Sequence, residues 1–343
     1  MKALWIEAPG VVRFGDIPEP ATPSGWVKIK VLAAAVCGSD LKVYRSGRSY
    51  KVDRRVSGHE FVGQIEEVTN ADSPWKVGHR VCVYPQLFCG ECSECRKGHI
   101  NMCPNKKNIG GRDYDGGFAE HVVVPESLLY AVPDNISDIE AAMVEPFAVG
   151  LHAVNLAGGA ALRDKSVLIY GAGPLAFFVL ESLKYYGARQ IILCGRVPKR
   201  LELALEHGAT DVIYGKDTPE ALRAKVMELT GGEGVDAVID TACLGATIEN
   251  DMYFCKPKGV ISVPGMTQTR FEVDFLQMQR RELTIVGSYT YTTEMRDCLQ
   301  ILGEGKLSTR YIADPVVPLS EGVETFRKLT DSPNDCLKGV FIP

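Results

Sequence analysis

The run Ser166-Val-Leu-Ile-Tyr170-Gly171-Ala-Gly173-Pro174-Leu175-Ala176 joins a strand-forming segment, a glycine turn and the start of a helix whose apolar positions continue through Phe177, Leu180 and Leu183 to Gly187. Its pattern is G-x-G-x-x-A. Gly171 permits a tight strand-to-helix turn, and Gly173 lets the backbone come close to a pyrophosphate. Pro174 and Leu175 open the helix, whose first N–H groups lack partners within it and face the anion. Ala176 takes the position that mediates helix–strand packing, which a single methyl group still permits. Alone, such a turn is only a tight βα connection. Here it heads a series: apolar strands are expected at 166–170, 191–194, 211–214, 235–240, 259–264 and 283–287, with amphipathic helical stretches between them. Six strands alternating with helices make an α/β doubly wound parallel sheet.

The second strand ends Cys194-Gly195-Arg196. A site for NAD places a carboxylate there to bond the ribose 2′-hydroxyl. No acid is present; Gly195 leaves room, and Arg196, with Lys199 and Arg200 close by, can pair with a 2′-phosphate through a planar fork. The expectation is therefore NADP(H) over NAD(H), although basic residues at a helix start are commonly just solvated.

Up to about residue 145 the chain has a different rhythm, with short strands at 26–34, 61–67, 80–84 and 120–124 punctuated by glycine and proline. The last fifty or so residues return to extended patterns and end Gly339-Val-Phe-Ile342, which suggests that the tail rejoins the first half. The expected domains are 1–148 with 290–343, and 149–289. Of the 343 residues 45% are hydrophobic and 24% charged, an ordinary globular balance. A net charge of −5 supplies no basic field, which argues against a nucleic-acid partner. The N-terminus lacks the apolar core of a secretory signal, and no apolar run approaches a membrane span, so a cytoplasmic protein is expected.

Eleven cysteines fit a reducing compartment, and four of them, Cys89, Cys92, Cys95 and Cys103, form C-x2-C-x2-C-x7-C within polar sequence. Short spacings let one loop wrap a tetrahedral zinc ion with thiolates, closing the site. Thiolates also hold iron–sulfur clusters, which the spacing does not exclude. Two disulfides are disfavoured by the compartment and the tight gaps. Most of the other seven cysteines sit in apolar or mixed contexts and read as small buried hydrophobes.

Cys37-Gly-Ser39-Asp40, Gly58-His59-Glu60 and Glu145-Pro146 add a cysteine, a histidine and carboxylates. If folding gathers them they make an open zinc site, with a position left for water or substrate. Singly they read as a core thiol, a turn histidine, a surface charge and a helix cap.

Together with the four-cysteine lobe, Asp115-Gly-Gly-Phe-Ala-Glu120 and the glycine turn at Gly171, these segments resemble, in order and interval across essentially the whole chain, the zinc-dependent medium-chain alcohol and polyol dehydrogenases. The resemblance implies a β-rich GroES-like catalytic domain beside a Rossmann nucleotide domain. It implies a catalytic zinc surrounded by Cys37, His59 and Glu60, with Glu145 near the metal in the manner of the sorbitol dehydrogenase branch. Asp40 would orient the zinc histidine, and Ser39 would pass the substrate proton outward. Cys89, Cys92, Cys95 and Cys103 would hold a second, structural zinc, giving two per chain. Hydride would pass between the nicotinamide and a secondary alcohol or ketone of a polyol, sugar or sugar phosphate. A simple alcohol or threonine-type amino-alcohol substrate is the alternative; a nucleotide-binding sensor without turnover is a third reading. Relatives form homodimers or homotetramers through the nucleotide-domain edge, for which 283–289 is the candidate strand.

Two departures stand out. The polyol branch commonly carries an arginine between two aromatics where this chain has Tyr289-Thr290-Tyr291, and Gly78-His79-Arg80-Val81 stands where relatives often read Gly-Asp-Arg-Val. Tyr44, Phe118, Tyr289 and Tyr291 are candidate pocket walls, or packing. His152 is a candidate contact to substrate or nicotinamide, or a hinge residue. Arg45, Arg48 and Lys51 are candidates for a substrate phosphate, or solvated loop charge.

Overall fold

The computed structural model describes residues 1–47, 54–266, 270 and 272–343, so Arg48 and Lys51 lie outside the described residues. The chain forms two compact units, one of Met1–Glu145 with Met295–Pro343, the other of Pro146–Glu294. It crosses from the first to the second at the start of the helix Val144–Leu156 and returns at Glu294, where sequence had suggested 148/149 and 289/290.

The second unit is built on six parallel strands in the order Asp211–Tyr214, Gln190–Gly195, Ser166–Tyr170, Val235–Asp240, Cys255–Val263 and Thr284–Gly287. A parallel sheet with helices on both faces has no wet side, so its central strands carry near-continuous apolar runs. Val167, Leu168 and Ile169 in succession are fully buried, as are Val238 and Ile239 beside them. The chain starts in the middle, winds to one edge and then to the other, and this reversal opens a crevice at the carboxyl ends of the central strands. Tyr170 lies level with both Cys194 and Asp240 at that end. The helix Pro174–Tyr186 begins there with Gly173 as N-cap and proline in its first turn, and stops at Gly187 in the left-handed conformation. The fifth strand starts four residues earlier than expected. Cys255 pairs with Val235, then the register shifts and Lys258 takes φ 65° before Val260 pairs with Ala237, so the Lys-Pro-Lys stretch that reads as loop is an irregular part of the strand.

The first unit carries a seven-stranded sheet in which Ala313–Pro318, Lys338–Ile342, Trp26–Ala35, Glu60–Val68, Arg80–Val83 and Leu129–Ala131 follow one another, while His121–Pro125 also pairs with Trp26–Ala35. The alternation of Val27, Ile29, Val31 and Ala33 turns one face of the long strand inward. The tail is integral to this sheet: Phe341 lies opposite Ala34, and Val340 opposite Ala35. Phe341 is fully buried, edge-on to Phe118 with ring centroids 5.2 Å apart, and stacked with Phe326 at 6.2 Å. Phe118 therefore belongs to the core rather than to a pocket wall.

Truncating Phe341 to alanine should destabilise this unit by about 3–5 kcal/mol, the usual loss for a fully buried phenylalanine. Urea denaturation checks this: a midpoint close to wild type would mean that the tail strand is peripheral to the core.

Candidate functional site

In the first unit, sheet pairing brings the metal-type residues together. Ala35, the last residue of its strand, lies opposite Glu60, the first of the next, so Cys37 just beyond one and His59 just before the other meet at the same end. One ligand atom each from Cys37, His59 and Glu60 lies within 4.8 Å of the others. Cys37 caps the helix Gly38–Ser46: its sulfur accepts the Ser39 N–H at 3.5 Å, and Asp40 Oδ2 accepts the Cys37 N–H at 3.0 Å. Ser39 is exposed beside the sulfur.

The electrostatics are those of a cation site. Burial works to lower the His59 pKa, but Cys37, Asp40 and Glu145 reverse that and hold the imidazole well above its ordinary value. Burial raises Asp40, against the pull of His59 and of the bond from Cys37 N–H. Glu145 is buried in the first turn of Val144–Leu156, near enough for its charge to act on His59, though outside the three-residue group. Glu60 is 1% exposed, and its Oε2 makes no hydrogen bond among the described residues. Sulfur, imidazole and a buried carboxylate are the donor types zinc takes. Sequence reasoning missed one further member: Lys338 Nζ lies 2.6 Å from Glu60 Oε2. A lysine leading an apolar strand was the only available signal.

The four cysteines of the lobe form a second group, with one sulfur each within 4.8 Å. The sulfurs of Cys89 and Cys103 are 3.5 Å apart, and those of Cys89 and Cys95 4.0 Å. A disulfide would need about 2 Å, whereas sulfurs bound to one tetrahedral zinc lie about 3.8 Å apart, from the bond length of about 2.3 Å. Backbone N–H groups point at the sulfurs, Cys89 N to Cys103 at 3.4 Å and Cys95 N to Cys92 at 3.5 Å. N–H donors from Glu91 and Cys92 draw Cys89 down to about 6, while desolvation and the neighbouring thiols push Cys95 up to about 12.

In the second unit, the crevice at the strand ends is a cavity of about 210 Å³ lined by Tyr170, Gly171, Gly173, Gly195, Arg196, Arg200 and Thr247, among others. Pro174 and Leu175 stand at the helix start, outside that lining. Gly171 has φ 113°, and a Cβ there would lie 2.4 Å from Thr241 Oγ1. Gly195 is equally constrained, since a Cβ would lie 2.4 Å from that of Ala172; an acidic side chain does not fit without backbone movement. Arg200 Nη1 donates to Ala172 O at 3.1 Å, and Arg196 is exposed at the rim. Behind the cavity Asp240 and Asp251, both fully buried, face each other. Asp240 accepts from Thr247 Oγ1 at 2.6 Å, Ala242 N at 2.9 Å and Cys243 N at 2.8 Å. Burial raises Asp240, but those bonds favour its ionised form, whereas Asp251 is raised well above its ordinary value by burial and by the charge of Asp240.

The remaining candidates divide. Tyr291 is 1% exposed, a core residue; Tyr289 is half-buried; Tyr44 packs edge-on to Phe326. Arg45 is exposed on the last turn of its helix. His152 Nδ1 lies 2.7 Å from Glu294 Oε1, and Glu294 is held down to about 2 by that contact and by backbone N–H donors, against its burial. His79 closes a turn: its Nδ1 accepts the Lys76 N–H at 3.2 Å, which accounts for a histidine in the aspartate position.

Residues 23–134 match the family of alcohol dehydrogenase GroES-like domains, and residues 174–304 match the zinc-binding dehydrogenases. The sorbitol dehydrogenase of Bacillus subtilis (strain 168) is 30% identical over 348 aligned residues, covering all of this chain and 97% of that one. Among solved structures, an alcohol dehydrogenase of Escherichia coli in complex with NADH superposes with a TM-score of 0.92 at 28% identity, covering 100% of this chain and 99% of that one. A zinc-binding dehydrogenase of Sinorhizobium meliloti bound to NADP superposes with a TM-score of 0.88 at 27% identity, over 100% and 99%. No helix among the described residues is long and apolar enough to cross a membrane.

Burial and the charge of Asp240 raise Asp251 well above the ordinary 3.8. A raised folded-state pKa means stability present at low pH and lost as pH climbs through that raised value. Asp251→Asn should therefore change stability little near pH 4 and increasingly raise it, relative to wild type, towards pH 9. Thermal unfolding across that range is the check, and a difference independent of pH would contradict the buried-proton account.

Proposed function

The chain belongs to the zinc-binding alcohol dehydrogenase family, and from that premise we propose that it transfers hydride between a nicotinamide dinucleotide phosphate and a secondary alcohol or ketone carbon of a polyol, sugar or sugar phosphate. The observation carrying this reading is the gathering of Cys37, His59 and Glu60 at one sheet end in a chain that matches a sorbitol dehydrogenase over its whole length. Cys37, His59 and Glu60 would hold a zinc ion, which would supply Lewis-acid polarisation of the substrate's oxygen. The protein's own share follows from its side chains. Cys37 is held at a helix N-terminus, and Asp40 locks the backbone that presents its sulfur. The Ser39 hydroxyl, exposed beside that sulfur, carries the substrate proton to solvent. The four-cysteine lobe holds a second zinc, with a structural role.

Gly171 and Gly173 bring backbone to the pyrophosphate, and Arg196 and Arg200 receive the 2′-phosphate. Exclusion of any side chain at Gly195 supports NADP(H) as the preferred cofactor. A second copy of the chain pairs along Thr284–Gly287, the outermost strand of the sheet, next to the helix whose Phe275 and Leu276 are 62% and 51% exposed. Free cysteines throughout fit the cytoplasm. One observation favours the second reading: with Thr290 between Tyr289 and a buried Tyr291, no arginine is offered to a polyol hydroxyl, and a simple alcohol or amino-alcohol needs none.

Metal analysis with NAD+ and NADP+ reduction over polyols, sugar phosphates, simple alcohols and threonine tests the assignment. Two zinc ions per chain and turnover on one class are expected; turnover on none would leave a nucleotide-binding protein. Cys37→Ser should lower kcat at least about a hundredfold, from the several kcal/mol that Lewis-acid catalysis supplies, with nucleotide affinity unchanged by calorimetry. Arg196→Ala should raise the KM for NADPH about tenfold or more, the worth of a charge-assisted bond, and leave that for NADH alone. Equal effects on both would remove the cofactor preference.

A further inference from the structure

The turn after the strand Val235–Asp240 helps to wall the cavity of the second unit: Ala242, Leu244 and Thr247 line it together with Gly171 and Gly173. Asp240, fully buried at the strand's end, shapes that turn. Its Oδ1 accepts the Ala242 and Cys243 N–H groups, and its Oδ2 accepts the Thr247 hydroxyl. Cys243 sits there at φ 44°, a conformation that a residue with a side chain keeps only where its surroundings impose it. Thr241 Oγ1 ties the same turn to Tyr170 O at 3.0 Å, at the head of the glycine run.

Asp251, on the helix Gly245–Phe254, is also fully buried, and its oxygens receive no N–H or hydroxyl donor among the described residues. Its titratable neighbours are Asp240, Tyr170 and Cys194 from strand ends, Cys243 from the turn and Cys255 from the start of the next strand. Burial pushes Cys194 up to about 12 and raises Tyr170, Cys243 and Cys255 as well, which leaves the carboxyl pair to titrate below them. The cations of this region are engaged elsewhere. Arg223 donates to Asn250 Oδ1 at 3.4 Å, Arg281 donates to Met252 O at 2.6 Å, Lys225 pairs with Asp217, and Arg196 stands at the cavity rim.

Two carboxyls packed together away from water do not both ionise cheaply, so such a pair holds one proton in common. A dinucleotide adds the negative charges of its pyrophosphate to the wall that Asp240 supports, and a nearby anion strengthens an acid's hold on its proton. Resting on the reading of this cavity as the nucleotide site, we infer that the Asp240–Asp251 pair is a proton-linked support of that site, which receives the nucleotide best with one proton between the two carboxyls. Loss of that proton sets two like charges against each other beneath the turn and adds one more against the pyrophosphate. Nucleotide affinity then falls as pH rises through the titration of the pair, and by reciprocity binding draws a proton from solvent in that range. Asp251 is a positioning residue: it is absent from the cavity lining and acts through Asp240.

The zinc-loaded enzyme titrated calorimetrically with ADP-ribose between pH 7 and pH 10, in buffers of different ionisation enthalpy, tests this. ADP-ribose carries the pyrophosphate but lacks the nicotinamide, so proton changes at the metal-type centre do not enter. Wild type should take up about half a proton or more per nucleotide in the alkaline part of the range. Its affinity should fall about tenfold, the effect of one added charge several ångströms away at an effective dielectric near 20. Asp251→Asn should abolish both the proton uptake and the fall, and so bind about tenfold more tightly than wild type at pH 10. Where that variant does not fold, Asp251→Ala carries the same expectations. Wild-type affinity independent of pH, or proton uptake that survives in the variant, would leave Asp251 a purely structural acid and overturn the inference. Failure of wild type to bind ADP-ribose even at pH 7 would instead overturn the nucleotide-site reading, and this inference with it.

Discussion

The register of three strands governs the first unit. Trp26–Ala35 sets Ala35 against Glu60 on one side and Val340 on the other. Side chains alternate across a sheet, so a slip of one residue in either pairing would send Glu60 or Lys338 to the wrong face. With the register held, Cys37, His59, Glu60 and Lys338 emerge together at one end of the sheet from three distant parts of the chain. Burial of Val27, Ile29, Val31 and Phe341 along the same strands resists such a slip, so the hydrophobic core and the acidic cluster depend on the same alignment.

In the second unit the constraint is steric rather than electrostatic. Parallel pairing brings Tyr170, Cys194 and Asp240 level at the carboxyl end of the sheet, and the chain then has to turn into helices within very little space. Gly171 is pressed against Thr241 and Gly195 against Ala172. The absent side chain at Gly195 is thus a packing requirement of the turn at the strand end, which also leaves the rim to Arg196.

What could be read in advance follows the range of the interactions involved. The six nucleotide-domain strands were legible because apolar runs and glycine turns are local signals, and the four-cysteine lobe because its ligands are neighbours in sequence. The start of the fifth strand was not, since Lys256-Pro257-Lys258 carries loop chemistry and pairs only because Cys255 is anchored on Val235. The proximity of Cys37 to His59 was suggested by family resemblance and not by spacing. Lys338 and Asp251 were invisible: each is a charged residue type, normally exposed, whose burial is decided by elements far away in sequence. Tyr291 and Phe118 illustrate the converse, aromatics near functional motifs that serve the core.

The two metal-type centres differ in the way their ligands are tied to the fold. Residues 89–103 close on themselves, and a loop that short costs little entropy to form, so four thiolates can be committed without help from the sheet. The Cys37, His59 and Glu60 group exists only once the sheet has paired, and the energy of pairing can hold ligands in an arrangement they would not choose by themselves. That is the setting in which a lysine can be buried against a carboxylate donor and remain there. A centre assembled locally has no such support and relaxes to its tightest coordination. A centre imposed by strand register can be kept short of it.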